Sequence, residues 1–245
     1  MVAQLAGLST MSVVPWLAVC VLFETKIDSI LGFGRWLFIL MPNAVHIIDQ
    51  AYERWSRTLL GADWWRNAAV CGSELGWNIS GFARVVYAVA MKRAKLWLRG
   101  IPDWHARFFV LSNVRGLGWS KQSLSVLTTW SLLDWPAWFT PGASLESYRA
   151  YVLRTLSSHH VGRWRDRALK HKAQVPYCQF AEGPGLSIQG WRLLSLPGDT
   201  LTNMRSYCRL RCGLLVLRHL RGKKSMALLQ SCVFCNIGVR NATVH

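Results

Sequence analysis

A mainly α-helical protein is expected from this chain. Two observations carry the expectation: apolar residues recur at helical spacing over residues 43–60 and 80–100, and each run opens on a capping residue and stops at glycine. At 245 residues, 51% of them hydrophobic, the chain can bury one large core or two modest ones, which argues against disorder. No internal repeat or low-complexity tract interrupts it.

Residues 2–23 come first, a run of twenty-two without a charge and long enough to cross a bilayer. Gln4, Ser9, Thr10, Ser12 and a central Pro15 count against a span, and no Lys or Arg precedes Lys26 to flank a signal peptide. Composition leaves a transmembrane anchor and a buried helix equally open, and a span would put the basic remainder on the cytoplasmic side. Residues 43–60 form a helix capped by Asn43 and ended at Gly61, with Ile48, Tyr52, Trp55 and Leu59 along one apolar stripe. A clearer helix runs from Ser80 as N-cap to Gly100 as stop, with Pro102 barring continuation. On it Phe82, Val85, Val86, Val89, Leu96 and Trp97 share one side. Arg84, Lys92, Lys95 and Arg99 fall within roughly an 80° arc on the other, a basic ridge, while Arg93 breaks the pattern by pointing toward the apolar side.

Turns at residues 116–120 and 135–142 flank a short helix over 122–133. Residues 144–156, with Ser144 as cap, and residues 158–172 follow as two further helices. The second carries Arg163, Arg165, Arg167, Lys170 and Lys172 on several faces, which reads as solvated charge, as does the pair His159-His160. Glu182-Gly-Pro-Gly185 is a loop and a boundary, and a turn at 196–200 leads into a last helix over 201–220, ended by Gly222.

Charge grows along the chain. The formal net charge of +17 divides into −1 over residues 1–50, +6 over 51–150 and +12 over 151–245. From residue 200 onward there are eight Lys or Arg and no acid. Such a gradient suits binding to RNA or DNA through the phosphate backbone, where neutralised phosphates release counterions. Candidate contacts are Arg84, Lys92, Lys95 and Arg99 on the ridge, and Arg205, Arg209, Arg211, Arg218, Arg221, Lys223 and Lys224 in the C-terminal cluster. Most of the fourteen tryptophans are core candidates, while Trp64, Trp65 and Trp164 have the rings to stack on unpaired bases.

Beside that cluster stand Cys232-Val-Phe-Cys235 and, after nine intervening residues, His245. The spacing supplies three of the four ligands of a zinc knuckle and leaves the fourth position beyond His245, so the Zn²⁺ site is incomplete. Cys208 and Cys212, one helical turn apart, are substitute donors, and a chance pair of small buried cysteines is the plain alternative. Seven cysteines, few of them closely spaced, do not make a secreted disulfide framework and point to a reducing, intracellular compartment, nucleus or cytoplasm. No catalytic constellation assembles: there is no paired-aspartate motif, no G-x-S-x-G and no H-E-x-x-H, and Gly222-Lys-Lys-Ser225 lacks the upstream glycine of a phosphate loop. The chain is therefore not expected to be an enzyme.

Several segments resemble the region that follows the catalytic palm in reverse transcriptases of non-LTR, LINE-type retrotransposons. Leu22-Phe-Glu-Thr-Lys26 through Ile30-Leu-Gly-Phe-Gly-Arg-Trp36 is similar to the family's post-palm run. Arg54-Trp-Ser-Arg-Thr-Leu-Leu-Gly61, Trp65-Arg-Asn-Ala-Ala69 and Glu74-Leu-Gly-Trp77 are similar to its thumb helices. Residues 205–213 with Cys232, Cys235 and Asn241-Ala-Thr-Val-His245 resemble its Cys-Cys-His-Cys knuckle, although an acidic residue usually stands where Asn241 does and a final Cys follows the His. The resemblance implies a thumb-like helical bundle over residues 1–100, a helical linker over 101–185, and a basic helix with a truncated knuckle over 186–245. It implies a nucleic-acid-binding C-terminal fragment without the palm's paired aspartates, and it makes residues 2–23 an element buried against protein. A membrane-anchored basic protein and a decayed coding remnant are the rival readings.

Overall fold

The structure, a computed structural model, describes residues 21–60, 62, 67–100 and 102–169. Among these residues every regular element is helical. A π-helical turn, Phe23–Asp28, runs into α1 (Ser29–Gly32), and a 3-10 segment, Arg35–Leu40, leads to α2 (Ala44–Leu60). Then come α3 (Ala68–Glu74), α4 (Gly81–Arg99), α5 (Trp104–Val114), α6 (Gly118–Thr129), the single turn α7 (Trp135–Trp138) and α8 (Leu145–Leu169). No helix among the described residues is long and apolar enough to cross a membrane. The expectations placed on residues 2–20 and on everything beyond residue 169 fall outside the described residues.

Two compact units interleave along the chain. The larger described one joins Asp28–Tyr52 to Ile79–Gly162. Its core lies along α4, whose Phe82, Val85, Val86 and Val89 are buried with Leu127 of α6 and Tyr148, Val152 and Leu156 of α8. The helix starts where expected, because the Ser80 hydroxyl accepts the Ala83 N–H at 3.2 Å, and it stops where Gly100 takes φ 68°, a conformation that favours glycine. Asp49 adds a second cap by accepting the Phe82 N–H at 2.8 Å. Gly81, at the first turn, admits the Tyr52 ring: a Cβ built there would stand 2.4 Å from the ring's Cδ2 and 3.1 Å from the Ile48 carbonyl oxygen.

The second unit comprises the described parts of Met1–Ile27, Glu53–Asn78 and Arg163–His245. Phe23 stacks on Trp77 at 5.1 Å and meets Trp55 edge-on at 5.9 Å. Asn67 caps α3 by accepting the Ala69 N–H at 2.9 Å, while its amide donates to the Arg167 carbonyl at 3.1 Å. Arg167 also pairs with Glu53.

Three expectations need correction. Asn43 does not sit in the extended backbone of an ordinary N-cap: its φ is 58°, a left-handed conformation asparagine tolerates, and its carbonyl accepts the Ile47 N–H at 3.1 Å. The two helices expected over 144–156 and 158–172 are one helix, α8, which runs through Ser157 and Ser158 without a break. Gln122 is not where the preceding helix begins; α6 starts at Gly118 and takes in most of the expected turn. Residues 104–114, within the stretch expected to be a helical linker, form α5, with Asp103 accepting the His105 N–H at 2.8 Å and the Ala106 N–H at 3.3 Å.

Candidate nucleic-acid interface

The four cations expected to form one ridge on α4 have separate fates. Arg84 is only 14% exposed and donates to Asp28 at 3.2 Å. The same carboxylate takes a hydrogen bond from Arg35 at 2.8 Å and another from the Tyr52 hydroxyl, so one aspartate holds two guanidinium groups and a phenol. Burial, and then Asp28 itself, push the Tyr52 phenol well above its ordinary value. Lys92 is half-buried, its Nζ 4.9 Å above the Trp36 ring. Lys95 is exposed. Arg99 is exposed as well and pairs with Asp103 at 3.4 Å. Lys95 and Arg99 thus reach solvent, whereas Arg84 is committed to the fold.

Arg93, the residue that broke the pattern, is the best-anchored cation of the unit. It is 0% exposed, and its five N–H groups meet five acceptors. Nε and one terminal nitrogen grip both carboxylate oxygens of Asp134, and the remaining bonds go to the Ser120 carbonyl at 3.1 Å, Ser123 Oγ at 2.7 Å and Asn113 Oδ1 at 2.8 Å. The guanidinium also lies 4.9 Å from the centre of the Phe109 ring. This fork ties α4, α5, α6 and the residue ahead of α7 together. Trp97 Nε1 completes the Asp134 environment at 3.2 Å.

Around that anchor opens a groove of about 500 Å³ between α4, α5, α6 and the 3-10 segment. Trp36 and Trp119 form one wall, held edge to face at 5.2 Å with the Trp119 N–H on the Trp36 carbonyl. Trp104, Phe108 and Leu111 line another part, one and two turns apart on α5, and Lys92, Arg99 and Arg115 supply its charge. The sequence reading assigned neither this helix nor its outward aromatic pair. The available signal was Asp103 after Pro102, followed by Trp104, Phe108, Leu111 and Arg115 at helical spacing.

Trp164, offered as a stacking residue, is buried in the other unit, where its Nε1 donates to the Ala69 carbonyl at 3.2 Å; it belongs to the core. The ring of His159, expected on a solvated face, is half-buried 5.9 Å from Trp130. Arg163, Arg165 and Arg167 are exposed, as expected. Trp64, Trp65, the cluster Arg205, Arg209, Arg211, Arg218, Arg221, Lys223 and Lys224, and the zinc candidates Cys208, Cys212, Cys232, Cys235 and His245 lie outside the described residues. Among the described residues no three His, Cys, Asp or Glu side chains gather as a metal site would require. No family model matches the chain, and no curated protein or solved structure matches it. The likeness to LINE-type reverse transcriptases rests on the short segments alone.

Proposed function

We propose that the chain binds nucleic acid without sequence preference, through phosphate contacts, and that it extends no primer, in keeping with its resemblance to the post-palm region of LINE-type reverse transcriptases. The observation that supports this most is how the unit of residues 28–52 and 79–162 uses its carboxylates. Asp28 is taken up by Arg35 and Arg84, Asp134 by Arg93, and Asp49 by the Phe82 N–H. The acids that remain beside exposed Lys95, Arg99, Arg115, Lys121, Arg149 and Arg154 are Glu146 and half-buried Asp103. A surface with that imbalance gains free energy by displacing counterions from a phosphate backbone. The Arg205 to Lys224 cluster adds further positive charge to the chain, and Cys232, Cys235 and His245 are the candidate Zn²⁺ ligands.

Fluorescence anisotropy with labelled RNA and DNA of unrelated sequences tests the reading. Affinity is expected to vary little with sequence and to fall linearly on a log–log plot against salt. Lys95→Glu with Lys121→Glu should reduce the magnitude of the slope by roughly 0.9 for each phosphate no longer neutralised on duplex DNA, or about 0.7 on a single strand. Binding that ignores both salt and the charge reversals would refute it.

A further inference from the structure

We infer that the groove between α4, α5 and α6 is a site for unpaired nucleotides, with bases stacking on Trp104 and Phe108 and the backbone passing Arg99 and Arg115. The inference rests on the nucleic-acid reading and specifies its ligand as single-stranded. On α5, Trp104 is 69% exposed, Phe108 70% and Leu111 57%, while Ala106 and Phe109 on the opposite side are buried. Three large apolar side chains one and two turns apart therefore stand in water on one helix face, although the helix already has a core-facing side. The His105 ring stacks against the Trp104 indole with centroids 3.5 Å apart.

The groove's charges choose among occupants. Its charged lining, Lys92, Arg99 and Arg115, is cationic; Asp103 pairs with Arg99 at 3.4 Å but does not itself line the walls. A purely apolar occupant, such as the greasy face of a partner helix, would desolvate Lys92 and Arg115 without returning a countercharge, Asp103 being engaged with Arg99. A flat, partly apolar polyanion satisfies both features, the rings by stacking and the cations by phosphate contact. A duplex keeps its base faces stacked on one another, so it offers exposed rings nothing that they lack. Unpaired bases do.

The test uses the full chain with two labelled probes, an oligothymidylate of about 20 nucleotides and a duplex of matched charge, titrated at several salt concentrations. Trp104→Ala with Phe108→Ala is expected to weaken oligothymidylate binding about tenfold or more and to leave duplex binding within about twofold. Because both substitutions leave the cations in place, the salt slope should not change. Arg115→Gln should do the reverse, lowering the single-strand slope by roughly 0.7. Trp104→Tyr should retain most of the affinity, since it keeps a ring. Both substituted rings are exposed, and unchanged circular dichroism checks the fold of each variant. Equal weakening on the two probes, or none on the single strand, would overturn the groove assignment while leaving non-specific binding intact. So would a wild-type oligomer that dissociates in the Trp104→Ala, Phe108→Ala variant, because the groove would then hold a second copy. Failure of the wild type to bind either probe would overturn this inference and the broader reading together.

Discussion

Replacing Arg93 by Met removes five hydrogen bonds at once and leaves Asp134, whose side chain is 11% exposed, with the Trp97 N–H as its remaining described donor. The methionine fills much of the volume along the buried stem, so the penalty is chiefly electrostatic: a nearly buried carboxylate without a countercharge, together with Ser123 and Asn113 deprived of their donor. Breaking a buried pair from one side costs about 3–5 kcal/mol, which for a chain of this size lowers Tm by roughly 6–20 °C. The double variant Arg93→Met, Asp134→Leu removes both charges. It should recover a large part of the stability, since buried ion pairs and well-packed apolar pairs differ little in net effect. Urea and thermal unfolding of the wild type, the two single variants and the double variant complete the cycle. The reasoning fails if Arg93→Met costs less than about 1 kcal/mol, or if the two single effects add within about 0.5 kcal/mol, because either outcome means that the pair is not coupled.

Gly81→Ala should destabilise the protein by about 1–3 kcal/mol, as the new methyl must displace the Tyr52 ring or the Ile48 carbonyl, and a denaturant midpoint no lower than the wild type's would count against that close approach. Tyr52 and Tyr148 are pushed above the ordinary phenol value, first by burial and then by Asp28 and Asp134 respectively. A folded value above the unfolded one means that their contribution is complete below about pH 10 and fades as pH rises beyond it. Absorbance titration should therefore find at least two phenols that resist ionisation past about pH 10 until the chain unfolds, and full titration of every tyrosine near that pH in the folded protein would contradict the placement. For metal, elemental analysis after dialysis should give substoichiometric zinc that falls further in Cys232→Ser; stoichiometric zinc that survives His245→Ala but not Cys212→Ala would move the site to the four thiolates Cys208, Cys212, Cys232 and Cys235.

The helices over residues 44–60 and 81–99 were legible because periodicity and, for the second, its cap and glycine stop are local properties. Ser80, Gly100 and the stripe of Phe82, Val85, Val86 and Val89 all act as their spacing requires. The same local reading passed over α5, whose rings lie on different sides of the helix: Phe109 is buried while Trp104 and Phe108 are exposed, so its apolar residues do not gather on the buried face. It also split α8 at two serines that a well-packed helix carries without a break. What a charge does was beyond it. Arg84 and Lys95 are both cations on the outer arc of one helix, yet Arg84 is committed to Asp28 and Lys95 faces water. Arg93 announced itself as a misfit, but its meaning depends on Asp134, forty-one residues away. By itself the sequence determined that residues 44–60 and 81–99 coil and which face of the second is apolar, since these follow from side chains three and four positions apart. Tertiary structure decided which cations are structural, which face solvent, and where an aromatic groove opens, because burial and pairing are set by residues that meet only when the chain has folded.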